Sequence, residues 1–247
     1  MLYSVHQLAL YTHIIVGSLC LIIFWLPLIQ KKGSKNHRFY GGLFITGMYV
    51  VSISGIIMTV LVLSDPLGVR AIEQDLSAEH AQQLINQSRM TAGFLLMLSV
   101  LVFTNVRQSI LVLKAKDNRN LLKSWDNLLV IAILGILGLV MGWIGIQQDA
   151  MLFKIFATLC VFISFSSFRY IFKKKLKTRE WVLAHLGNII GAGIGTYTAF
   201  FAFGGRRLFA EILTGNMQII PWILPGVIGI TASVILTRKY EKQYRVS

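Results

Sequence analysis

Apolar positions along this chain fall into long blocks, too uniform for the two-residue alternation of a half-buried strand or the narrow stripe of a surface helix. Seven blocks stand out, at residues 8–29, 40–63, 90–113, 128–146, 151–172, 181–203 and 219–237. Each is about 20 residues long, which is what a helix needs to cross about 30 Å of hydrocarbon. In hydrocarbon every backbone N–H and C=O must be satisfied within the segment, and a helix does this unaided. The expected fold class is therefore all-α, a polytopic bundle of seven transmembrane helices forming one domain over residues 1–247. The weakest boundary, between the fourth and fifth blocks, rests on Gln147, Gln148, Asp149 and Ala150. Merging the two would make a run of about 45 residues, far more than a bilayer needs.

Composition supports the same class. Apolar residues make up 55% of the 247 and charged residues 14%, against roughly 45–50% and 25% in soluble domains. Mean hydropathy is +0.66. These values exclude a soluble enzyme, a disordered chain and a disulfide scaffold.

A net charge of +14 would suggest nucleic acid in a soluble protein, but the positions of the charges give it another meaning. The first connection carries Lys31, Lys32, Lys35 and Arg38, and the third carries Lys114, Lys116, Arg119 and Lys123. The fifth carries Arg169, Lys173, Lys174, Lys175, Lys177 and Arg179, and the tail carries Arg238, Lys239, Lys242 and Arg245. Together these are eighteen of the 24 basic residues. The other side holds Arg70, Arg89, Arg206 and Arg207 with six of the ten acids. Basic residues beside span ends are retained in the cytoplasm, so the N-terminus is expected outside and the C-terminus inside. The setting this implies is a cell membrane, with anionic lipid as the partner of the cytoplasmic face and no nucleic acid. A homo-oligomer or a membrane partner subunit is also open. No lysine or arginine precedes the first block, which reads as a retained helix and not a signal peptide.

The longest connection, residues 64–89, opens on the turn signal Asp65-Pro66-Leu67-Gly68. From Ser77 onward the pattern predicts a short surface helix running into the third span. Glycines recur as Gly187, Gly191 and Gly195, followed by Ala199, in the sixth block, and as Gly135, Gly138, Gly142 and Gly145 in the fourth. Such ridges are helix contacts first; the sharper expectation is a groove for a flat cofactor or a lipid tail. Trp125, Trp143, Trp181 and Trp222 read as interface anchors, and Cys20 and Cys160 as packed thiols.

Polar residues at membrane depth are where chemistry is expected. Three histidines qualify: His13, His37 and His185. His13 and His37 are each followed four residues later by a glycine, Gly17 and Gly41, leaving bare backbone on the same helical face. A b-type haem needs an axial nitrogen beside such space. His13 and His37 lie about 36 Å apart along a continuous helix and cannot share one haem. His37 and His185 fall at one level and form the expected pair, with Arg38 near the propionates. His13 would need His6, His80 or another ligand. A faint repeat, Leu19-Cys20-Leu21-Ile22-Ile23 against Leu159-Cys160-Val161-Phe162-Ile163, pairs the second helix with the sixth as parallel units. No catalytic residue emerges, because paired carboxylates, nucleophile elbows, phosphate loops and zinc-protease helices are all missing from the sequence. Two functions stay open: haem or quinone binding for electron transfer through cytoplasmic histidines, or a non-redox lipid or solute-binding protein or accessory subunit whose histidines are structural.

Two groups of residues carry a family resemblance. One is His13 and Gly17, Pro27, Lys32-Gly33, His37-Arg38-Phe39-Tyr40-Gly41 and Met48. The other is Arg179-Glu180-Trp181-Val182-Leu183-Ala184-His185, Thr198-Ala199-Phe200 and Pro221-Trp222-Ile223-Leu224-Pro225. Over most of its length the chain resembles the bacterial membrane family catalogued as domain of unknown function 2306. Gly42 stands where that family often has an arginine. The resemblance implies the topology and singles out His37, Arg38, Trp181 and His185, and it implies no mechanism.

Overall fold

The structure, a computed structural model, describes residues 2–70, 77–205 and 215–246. Its helices are α1 (Leu2–Ile23), α2 (Trp25–Ile29), α3 (Lys35–Ser64), α4 (Ala78–Ala115), α5 (Trp125–Gln147), α6 (Met151–Phe172), α7 (Glu180–Ala199) and α8 (Ile220–Gln243). A single π turn, Phe200–Gly204, prolongs α7. Among the described residues there is no strand. Counting α1 and α2 as one span, seven helical segments among the described residues are long and apolar enough to cross a membrane, so the fold is an all-helical, multi-pass bundle.

The helices outrun the apolar blocks. Leu2 already lies in α1, six residues before the first block. Lys35 begins α3, and α4 takes in the expected surface helix as one continuous 38-residue rod. Hydropathy marks where hydrocarbon begins, whereas helix ends are set by capping. Ser34 accepts the His37 N–H at 3.2 Å and Ser77 accepts the His80 N–H at 3.3 Å, each starting a helix in the polar layer. The segment 64–89 is helical from Ala78, where the pattern from Ser77 onward placed a surface helix running into the third span. Between α5 and α6 the turn is as short as the sequence suggested. Asp149 takes φ +47° and the Ala150 N–H returns to the Gly145 oxygen at 2.9 Å, closing the end of α5.

Helix α4 is the centre, packed along α3, α5 and α7. Half of its most apolar stretch is buried, against 6% for α8 at the edge. Helix α1 lies on α3, α6 on α5, and α8 on α7. One core joins Cys20, Phe24, Phe44, Met48, Val106 and Ala192 across four helices. Both cysteines are buried free thiols.

Most positions of the glycine ridges are filled by protein. A Cβ at Gly138 would lie 2.9 Å from Val161, 3.1 Å from the Ala157 oxygen and 3.2 Å from Cys160, so α5 and α6 are in near-backbone contact. At Gly191 it would meet Asn105 at 3.0 Å, and at Gly195 it would meet Val102 at 2.7 Å, both on α4. At these positions no cofactor or lipid tail is admitted, whereas a Cβ at Gly187, the first glycine of the sixth-block ridge, would meet nothing within 4 Å. Trp222, half-buried, packs its ring 5.8 Å from Phe94, 5.8 Å from Phe156 and 4.9 Å from Phe203. One further expectation fails. The repeat is not reproduced in the packing, because α1 lies along α3 whereas its counterpart α6 lies along α5 and not along α7.

Candidate functional site

The starts of α3, α5 and α7 and the ends of α4, α6 and α8 share the end of the bundle that holds the basic clusters, here termed the basic end. His37 stands in the first turn of α3 and His185 in the second turn of α7. The two imidazoles are within electrostatic reach of each other, and Lys32 is within reach of His185. Both histidines expected from sequence therefore stand at this end, and with them Lys32, which the sequence had marked only as a topogenic charge.

All three candidate histidines make the same kind of bond. His37 Nδ1 donates to the Pro27 oxygen at 2.9 Å and His185 Nδ1 to the Ser109 oxygen at 2.9 Å. His13 Nδ1 donates to the Val51 oxygen at 2.9 Å and lies 3.1 Å from Ser54 Oγ. A carbonyl oxygen only accepts, so each Nδ1 carries the hydrogen and the neutral ring keeps its lone pair on Nε2. In every case the acceptor belongs to a different helix from the histidine, joining α3 to α2, α7 to α4 and α1 to α3.

Why these carbonyls are available differs from one case to the next. Pro27 lies in the last turn of α2, where backbone oxygens lack intrahelical donors. Lys32 Nζ joins His37 there, donating to the Pro27 oxygen at 3.0 Å and the Leu28 oxygen at 2.8 Å. Of its three N–H donors, one is left over. Burial, and next the nearby charge of Lys239, hold the Lys32 amine below the ordinary lysine range. Capping by basic side chains recurs at this end: Arg119 donates to the Tyr170 and Ile171 oxygens at 3.0 and 3.1 Å, closing α6. Glu180 draws Lys173 to 2.8 Å, tying the start of α7 to the end of α6, and Lys177 in the connection between them approaches Glu241 of α8 at 3.5 Å.

Space beside the histidines differs as well. A Cβ at Gly41, one turn beyond His37 on the same face, would meet nothing within 4 Å. At Gly17, one turn beyond His13, it would touch Val51 at 3.8 Å, so that patch is covered. The His13 ring itself lies over Gly55 of α3. His6 is two turns from His13 on the same helix, and His80 is exposed at the start of α4. Arg38 is exposed at the start of α3. Among the described residues no group of three or more His, Cys, Asp or Glu side chains gathers.

Comparison of the chain with family models, curated proteins and solved structures gave no match.

A second polar centre went unread in the sequence. On α4, Thr104, Asn105, Arg107, Gln108 and Ser109 place five polar residues among six. Gln108 donates to Asn127 Oδ1 at 2.6 Å, and Asn127 donates onward to the Leu122 oxygen at 2.8 Å. Arg107 pairs with Asp126 at the start of α5. The signal was present as polar density inside the third apolar block.

Proposed function

We propose that this chain is a b-type haem protein of the bacterial inner membrane, with His37 and His185 as axial ligands at the cytoplasmic face, serving electron transfer. The observation that carries the reading is the pair of Nδ1 bonds to the Pro27 and Ser109 oxygens. Ligating histidines characteristically commit their second ring nitrogen to such an acceptor, which fixes the tautomer and raises the basicity of Nε2. Haem, when bound, would supply a one-electron couple. The chain's own part is to present two neutral imidazoles and to leave the backbone bare at Gly41. The remaining Lys32 donor, Lys239 and Arg38 would receive carboxylates. The orientation with basic end inward rests on the distribution of lysine and arginine, and anionic lipid is the partner expected at that face. The likeness to domain of unknown function 2306 supports the same two histidines.

A second reading has its own support. The same three bonds buckle neighbouring helices, and the Gly191 and Gly195 grooves are filled by α4. On this reading the histidines are structural and the protein is a non-redox binding protein or accessory subunit.

Absorption spectra of the purified protein decide between them. The haem reading expects a Soret band that is lost in both His37→Ala and His185→Ala. A folded, colourless preparation from haem-replete cells overturns it and leaves the structural reading.

A further inference from the structure

The Lys32 ammonium is held in place at the basic end, donating to the Pro27 oxygen at 3.0 Å and the Leu28 oxygen at 2.8 Å. Its third N–H has no partner among the described residues, and the side chain is partly exposed. His37 Nδ1 shares the Pro27 oxygen at 2.9 Å, which sets beside the ammonium a ring that brings no negative charge. A second ammonium lies within electrostatic reach of the first: Lys239 of α8, which is exposed. Its position is fixed by the next residue, Tyr240, buried against Leu186 and Ile190 of α7.

The acidic side chains of this end are engaged elsewhere. Asp126 pairs with Arg107, Glu180 with Lys173 and Glu241 with Lys177, while Asp117 lies within reach of Tyr170. Two open cations on separate elements therefore face each other with no carboxylate between them among the described residues, and an anion with several acceptor oxygens can serve both. The neighbouring surface indicates the source of that anion. Ile235 lies one turn before Lys239 on the same face of α8, with Ile228 two turns further along, and both are exposed. Ile29, at the end of α2, is exposed as well. A phosphate in water would gain nothing from this apolar strip, whereas the chains of a lipid would cover it while its headgroup reached the lysines.

We propose that Lys32 and Lys239 together bind the phosphate of an anionic phospholipid whose chains lie along Ile235 and Ile228. Helix α8 packs on α7 and is the least buried of the spans, and the lipid fastens it to the connection between α2 and α3. The site stands without haem. Bound haem would draw on the same cations with its carboxylates, so binding is measured in His185→Ala as well as in the unaltered protein.

The test is native mass spectrometry of the detergent-purified protein titrated with phosphatidylglycerol, phosphatidylcholine or glycerol 1-phosphate. The first phosphatidylglycerol is expected to bind about tenfold more tightly than phosphatidylcholine, and Lys32→Met and Lys239→Met are each expected to weaken it about tenfold. Lys239→Met alters an exposed side chain and carries the test if Lys32→Met does not fold. Lys174→Met with Lys175→Met, which removes two exposed charges from the same end, should change the affinity by less than about twofold. The same dependence on Lys239 is expected in His185→Ala, so loss of a Soret band and loss of lipid binding are separate results. The proposal is overturned if Lys239→Met binds phosphatidylglycerol as the unaltered protein does in both backgrounds, or if the Lys174 and Lys175 variant loses as much, which would mean diffuse attraction. Glycerol 1-phosphate binding as tightly as phosphatidylglycerol overturns it too, by making free phosphate the ligand.

Discussion

His185 on α7 holds the main-chain oxygen of Ser109 on α4 through its Nδ1 hydrogen at 2.9 Å. Ser109 is itself fully buried, its hydroxyl donating to the Val106 oxygen at 2.6 Å. The imidazole therefore fastens the central helix to α7 and fixes its own tautomer in one contact. The tautomer is directly measurable. Nitrogen-15 NMR of histidine-labelled protein at neutral pH should show protonated Nδ1 and bare Nε2 for His13, His37 and His185. A protonated Nε2 at His37 or His185 would remove the basis for ligation at that residue.

Removing the imidazole should cost stability whichever function holds. His185→Ala is expected to destabilise by about 1 kcal/mol, the usual worth of a cross-helix hydrogen bond, because the Ser109 oxygen can still serve the helix ladder. Denaturant titration in micelles checks this, on protein without bound cofactor.

The glycines should divide sharply. At Gly138 a side chain would have to displace Val161 and the fixed Ala157 oxygen, so Gly138→Leu is expected to cost about 1–3 kcal/mol or more through overpacking. Gly41→Ala meets open space and should be neutral or stabilising by up to about 1 kcal/mol. Thermal melts of the two variants side by side test the contrast. Equal losses would mean that the Gly41 face is closed.

Asn127 is fully buried and links Gln108 to the Leu122 oxygen. Asn127→Leu leaves the buried Gln108 amide without its acceptor, at an expected cost of about 1–3 kcal/mol. Replacing both, as Gln108→Leu with Asn127→Leu, should recover part of that loss, since no polar group is then stranded. A double-mutant cycle measures the coupling.

At the opposite end the Lys154 ammonium donates to Asp149 at 2.6 Å. This bond, and then the lysine's charge, hold the Asp149 carboxyl below its ordinary range. A carboxyl depressed in the folded state adds stability above its unfolded pKa and loses it as pH falls through the folded value. The pair is exposed, so the effect is small. The drop in melting temperature on acidification from pH 5 to pH 3 should be slightly less in Asp149→Asn than in the parent, and an identical drop would show that the pair contributes nothing.

Much of the fold was legible because its determinants are local. Gln147 to Ala150 marked the α5–α6 turn, and Ser77 marked the start of what became α4, since caps and turns are read within a few residues. His37 and His185 could be placed at one end because each lies at a counted distance from a span end. The ring contacts of Trp222 were not legible for the opposite reason: its partners Phe94, Phe156 and Phe203 come from three distant segments, and only the packing of α4, α6, α7 and α8 brings them together. Lys32 was counted as a charge, while its bonds to the Pro27 and Leu28 oxygens depend on how the chain turns after α2.

From the sequence alone came seven apolar helical segments and the clustering of eighteen basic residues at one end, because hydropathy, helix rise and charge position are properties of contiguous residues. Tertiary structure decided which helix is central, that the glycine ridge of α5 meets protein, that His13, His37 and His185 spend Nδ1 on a neighbouring helix, and that Arg107 Nε is buried without a partner among the described residues. These depend on contacts between residues tens to hundreds of positions apart, and in an almost uniformly apolar chain nothing in the local pattern says which of many equivalent faces will meet.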